Sequence, residues 1–148
     1  MKLRDIEGLV ALPHSAQNRC FGCGIDNSRG LHLEFFKATD GTIVCPVEMP
    51  DLYEGPRGYV HGGIIATLLD EAMSKAVRSL GLTAVTRHIE VDYRLPVPSC
   101  ASLQLQSKHL KTEGRKHWAE AHILDVSGRQ LVRGKALFIE IKTHQPAN

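Results

Sequence analysis

Gly58-Tyr59-Val60-His61-Gly62-Gly63-Ile64-Ile65-Ala66-Thr67-Leu68-Leu69-Asp70-Glu71-Ala72 opens the most regular apolar pattern of the chain. From His61 to Leu80, the residues Ile64, Ile65, Leu68, Leu69, Ala72, Met73, Ala76, Val77 and Leu80 recur every three or four positions. That is the period of an amphipathic helix. The apolar stripe is wide, as it must be where most of a helix surface is covered by other elements. Gly81 is placed to end it.

The flanks say what covers the helix. Before it, Leu31-His32-Leu33-Glu34-Phe35 alternates apolar and polar residues and reads as a strand. Asp40-Gly41 supplies a hairpin turn into a second strand, Thr42 to Met49, and Pro50 to Tyr59 is a loop. After it, Val85, Ile89, Val91, Tyr93 and Leu95 alternate with Thr86, His88, Glu90, Asp92 and Arg94 until Pro96-Val97-Pro98 ends the run. Ser102 to Leu110, Lys116 to Val126 and Gln130 to Ile141 follow, separated by turns at Glu113-Gly114 and Ser127-Gly128-Arg129. Tight connections require antiparallel neighbours, and that sheet must bury the one apolar helix. The fold class is therefore α+β, with an antiparallel sheet wrapped around one long central helix. Residues 1–30 read as an N-terminal extension, a loop with a short helical turn between Asp5 and Leu12, and 31–148 as the domain proper, one domain overall.

Composition narrows the function classes. The 148 residues are 43% hydrophobic and 23% charged, which suits a globular core and excludes general disorder. A formal charge of +2 gives no reason to expect nucleic acid or a membrane surface as partner. No stretch approaches the ~20 apolar residues of a membrane span, and no apolar segment follows the charged Met1-Lys2-Leu3-Arg4-Asp5 as in a signal peptide. Cys20, Cys23, Cys45 and Cys100 are spaced unlike a disulfide framework, so a cytoplasmic protein with reduced thiols is expected. Cys20 and Cys23 form a lone Cys-x-x-Cys. A zinc site takes four ligands and no second pair accompanies it, so a structural role is expected, with no metal and no cofactor.

The stretch from Gly58 to Ala72 resembles the signature of hotdog-fold thioesterases of the PaaI-like, 4-hydroxybenzoyl-CoA-thioesterase-related group: His-Gly-Gly opening the central helix and an Asp nine positions after the His. Here these are His61, Gly62, Gly63 and Asp70. Thr86 to Pro98 is similar to the strand that follows the helix in that group, and Asn18-Arg19-Cys20-Phe21-Gly22-Cys23-Gly24 with Arg29-Gly30-Leu31 is similar to an extension found in some members. The resemblance implies an acyl-CoA thioesterase that releases a carboxylic acid and free CoA, without a cofactor, as a homodimer or dimer of dimers.

It also implies roles. Gly62 lies where helix N-terminal amides lack partners, and its N–H would polarise the thioester carbonyl. Asp70 would activate water or attack the carbonyl itself. Thr86 would orient the water, with its hydroxyl able to donate and accept. His61 is a candidate acid or base, or a helix cap. Gly63 and Glu54 are the substrate-binding candidates. Taken without the resemblance, Asp70 is an acid on a helix edge, Glu71 pairs with Lys75 at i,i+4, and Thr86 is a good strand former. One departure stands out: related enzymes often carry Asn or His in the loop six or seven positions before the helix His, and this chain has Gly55 there. Lys108, Lys111, Arg115 and Lys116, with Arg129, Arg133 and Lys135, are either solvated turn residues or partners for CoA phosphates.

Spacing adds a constraint. Gly62 and Asp70 stand roughly 12 Å apart along one helix, too far to serve one thioester carbon at about 3 Å. If both act, they act from different subunits, as across a two-fold axis. Two other readings remain: a non-catalytic hotdog module that binds an acyl or CoA ligand or a protein partner, and a hydratase or dehydratase, which would need a His beside Asp70.

Overall fold

The computed structural model describes residues 1–142, so positions 143–148 of the expected domain lie outside the described residues. Seven strands are present: β1 (Val10–Ala11), β2 (Phe36–Lys37), β3 (Ile43–Glu48), β4 (Ala84–Tyr93), β5 (Ser102–Glu113), β6 (Lys116–Leu124) and β7 (Gln130–Glu140). They form one sheet in the order β1-β2-β3-β5-β6-β7-β4, antiparallel throughout. The helix α1 (Gly62–Arg78) packs against β3, β4, β5, β6 and β7. This is the expected hotdog arrangement.

The helical period explains the packing. Leu68, Leu69, Met73 and Val77 are wholly buried on α1, in the same core as Leu105 of β5, Ile123 of β6, and Val132 and Phe138 of β7. Helix and sheet come close at Gly134 on β7, where a Cβ would stand 3.2 Å from Leu69 Cδ1, so the missing side chain lets the helix settle onto the sheet. Among the described residues, no helix is long and apolar enough to cross a membrane.

Two local expectations are corrected. Leu31 to Phe35 is not a strand: the Leu31 and Leu33 amides donate to the Phe21 and Gly22 carbonyls, so this segment is tied to the N-terminal loop and the ladder begins at Phe36. Asp5 to Leu12 holds no helix. Gly8 takes a left-handed φ of +83°, which closes a turn and sends Val10–Ala11 into β1.

Among the described residues β4 pairs only with β7, so its outer edge lies open along ten residues. Val85 and Tyr93 on it are about half exposed. A long edge with unpaired backbone groups and apolar side chains is a surface suited to pairing with another strand.

Candidate active site

The start of α1 is built by its own residues. His61 is the N-cap, and its Nδ1 accepts from the Gly63 N–H at 2.9 Å. One ring nitrogen thereby satisfies one of the amides a helix leaves unpaired. The consequence divides the two glycines. Gly63 has its amide occupied, which removes it as a donor to substrate. The Gly62 N–H has no partner among the described residues. Tyr93 Oη donates to the Gly62 carbonyl at 2.8 Å and holds this first turn from β4. A Cβ at Gly62 would stand 3.7 Å from the Tyr93 ring, ordinary packing contact, so this position tolerates a small side chain.

An open cavity of about 460 Å³ is lined by Val60, Gly62, Ile65, Tyr93, Leu95 and Val97 among others. Its walls are chiefly apolar, and Gly62, with its N–H at the helix N-terminus, lies among its lining residues. Such a cleft takes an apolar chain whose carbonyl can reach the amide.

Asp70 lies two turns further along α1. Its Oδ1 accepts a 2.7 Å hydrogen bond from Thr86 Oγ1 on β4. Burial raises its carboxyl above the usual range, the Thr86 bond pulls it back down, and the Glu71 charge pushes it up. A partly desolvated carboxylate with one oxygen fixed and the other open is more basic than a surface acid, and is oriented. Two of the residues singled out in the sequence, Asp70 and Thr86, are thereby in direct contact.

Glu54 is placed otherwise. Its Oε1 accepts from Ser99 Oγ at 2.6 Å, and its backbone bridges to Val60, so it braces the loop before the helix. Gly55 packs on His61, where a Cβ would come within 3.3 Å of the His61 Cα. Sequence reasoning gave no role to Tyr93 or Ser99; Tyr93 carried two signals, the alternation of β4 and its place in the strand that resembles the family's, and Ser99 had none. Glu71 turns away from Asp70, to Cys20 Sγ at 3.5 Å and Lys75 Nζ at 3.8 Å.

With this geometry, the comparisons are specific. Residues 57–132 match the family model of the thioesterase superfamily, a span that includes α1, Asp70, Thr86 and the open edge of the sheet. Acyl-coenzyme A thioesterase THEM4 of Xenopus laevis is 32% identical over 129 residues, which cover 84% of this chain and 58% of that protein. The chain thus spans little more than half the length of the curated relatives it matches. The crystal structure of a thioesterase superfamily protein superposes with a TM-score of 0.77 at 28% identity, covering 82% of this chain and 60% of that one. A Bacillus halodurans protein crystallised with CoA gives a TM-score of 0.68 at 25% identity, covering 77% of each chain.

Proposed function

The chain belongs to the thioesterase superfamily, and on that premise we propose that it hydrolyses acyl-CoA thioesters at a site shared between two subunits. The observation that carries this reading is the pairing of an unengaged Gly62 amide at the mouth of an apolar cleft with a raised, Thr86-held carboxylate on the same helix. A relative named as an acyl-CoA thioesterase and a neighbour crystallised with CoA support the choice of thioester.

The chemistry follows from the groups present. The thioester carbonyl oxygen accepts from the Gly62 N–H, which stabilises the charge that develops as the carbon becomes tetrahedral. Asp70 takes a proton from the attacking water, with Thr86 holding the carboxylate in place. The intermediate collapses, the CoA thiolate leaves and takes up a proton, and a carboxylic acid remains. His61 positions the helix start by its cap.

The helix puts Gly62 and Asp70 roughly 12 Å apart, so the Gly62 of one subunit works with the Asp70 of its partner. The open β4 edge is where a second copy of the chain adds, strand to strand, which brings two antiparallel α1 helices side by side under a continued sheet. Light scattering is expected to give twice or four times the 16.3 kDa chain mass.

Release of free CoA from a panel of acyl-CoAs, followed chromatographically, tests the activity; at least one class is expected to be hydrolysed. Binding of CoA esters by calorimetry with no turnover of any would sink it and favour the non-catalytic module, a reading that the engagement of Glu54 by Ser99 supports. Thr86→Val tests the site electrostatics. Loss of the hydroxyl removes the interaction that lowers the Asp70 carboxyl, so Asp70 stays protonated to higher pH. Because the base acts ionised, the acid limb of the kcat–pH profile is expected to move to higher pH. An unmoved limb would remove Thr86 from the site.

A further inference from the structure

The N-terminal loop closes over the side of α1 that carries Glu71, about 100° of turn from Asp70, and there it brings together three metal-ligating side chains. One sulfur each from Cys20 and Cys23 and a carboxylate oxygen of Glu71 all lie within 4.8 Å of one another. Cys20 Sγ stands 3.5 and 3.6 Å from the two Glu71 oxygens. Cys23 is buried, Cys20 and Glu71 partly so.

We propose that Cys20, Cys23 and Glu71 form a zinc(II) site, with the fourth position left to water. A sulfur at about 2.3 Å and a carboxylate oxygen at about 2.0 Å from a tetrahedral zinc stand about 3.5 Å apart, which is the Cys20–Glu71 separation here. The donor set, two thiolates and one carboxylate, suits this borderline-soft ion.

The loop is shaped around the cluster. The Gly24 amide donates to the Cys20 carbonyl at 2.8 Å, which folds Cys-x-x-Cys into a turn with both sulfurs on one side. Asn18 supports it twice: its Oδ1 accepts from the Cys20 amide at 2.9 Å, and its Nδ2 donates to Cys23 Sγ at 3.5 Å. Neither Gly22 nor Gly24 has room for a side chain; a Cβ would lie 2.7 Å from Glu71 carbons and 2.4 Å from the Cys20 nitrogen respectively. Groups that help orient thiolate ligands are what a metal site needs around it.

Charge balances in both forms. Without metal, two neutral thiols face the Glu71–Lys75 pair, whose atoms are 3.8 Å apart. With metal, each thiol gives its proton to solvent, and two thiolates and one carboxylate offset zinc and the Lys75 ammonium. The pair Cys20–Cys23 was too few ligands in sequence; the third stands on a helix 51 positions away from Cys20.

The test uses the tag-free full chain, reduced and stripped with a chelator. Cobalt(II) is expected to bind one per chain with a sulfur-to-cobalt charge-transfer absorption that zinc(II) abolishes. The Cys20→Ser/Cys23→Ser pair is expected to lose that absorption and to weaken zinc binding at least about a hundredfold, and Glu71→Gln to weaken it about tenfold. Absence of the absorption in the wild-type chain, or its persistence in the double variant, would overturn the proposal. A readout on the wild-type chain covers variants that do not fold. Zinc is expected to slow alkylation of Cys20 at least about tenfold while leaving the exposed Cys100 unchanged, and equal alkylation of Cys20 with and without zinc would overturn it too.

Discussion

Asp70→Asn is expected to lower kcat for acyl-CoA hydrolysis by at least about a hundredfold, the contribution of a positioned general base, while leaving the protein no less stable. The amide keeps an oxygen for the Thr86 bond of 2.7 Å, so geometry is retained and basicity is not. The stability half of the prediction follows from the sign of the carboxyl shift. Folding raises this group above its unfolded value, so the native state holds the proton more tightly. Stability then falls as pH rises from the unfolded value to the folded one, and at neutral pH the ionised Asp70 burdens the fold. A neutral Asn lifts that burden. Measured together, the rate should collapse and the melting temperature at pH 7 should hold or rise; a variant that is both active and less stable would show Asp70 to be a structural acid. Sites that keep an unfavourable group for chemistry show this opposition of activity and stability.

Gly62→Pro is expected to fold and to lose hydrolysis by about a hundredfold or more, as when one oxyanion donor is removed. Proline at the first helical position lacks only an N–H that has no intrahelical partner, and its fixed φ suits that place. His61 before it is extended, at φ −59° and ψ 137°, as a residue preceding proline must be. The variant therefore deletes the donor and keeps the helix. Mixing it with Asp70→Asn tests the shared site. In a random mixture half the dimers are mixed, and each of these joins an intact Gly62 from one chain to an intact Asp70 from the other at one of its two sites. About a quarter of wild-type activity should return on exchange of subunits. If Gly62 and Asp70 served one site within a chain, the mixture would stay inactive.

How far these features were legible depends on the range of the interactions that make them. The central helix was plain because its period is local: seven of the nine periodic residues, Ile65, Leu68, Leu69, Ala72, Met73, Ala76 and Val77, are buried, with Lys75 buried beside them outside the pattern. The antiparallel order followed from turns such as Glu113-Gly114, equally local. Asp70 and Thr86 were singled out through the family resemblance, but their contact was not read from the sequence, since nothing in an Asp and a Thr 16 positions apart compels them to meet. For Glu54, a substrate-binding candidate in the sequence, the bond from Ser99 was out of reach because that partner is 45 positions away. For Gly63, the capture of its amide by the ring was not legible because it turns on the His61 side-chain rotamer. Leu31 to Phe35 kept a strand's alternation and lost the strand, because its amides found the Phe21 and Gly22 carbonyls first.

The helix α1 also sets a rule for how this gene can change. Asp70 and Glu71 are one residue, about 100° of turn, apart, and they face different neighbours: Thr86 on one side, the Cys20 loop on the other. Inserting one amino acid between Gly62 and Asp70 would deliver Leu69 to Thr86 and Asp70 to the cysteines. Deleting one would hand Thr86 to Glu71. Codon replacements along this stretch are filtered by packing alone, one at a time, whereas any change in its length misaligns every contact beyond it at once. Between those two positions the chain can drift in composition but not in count.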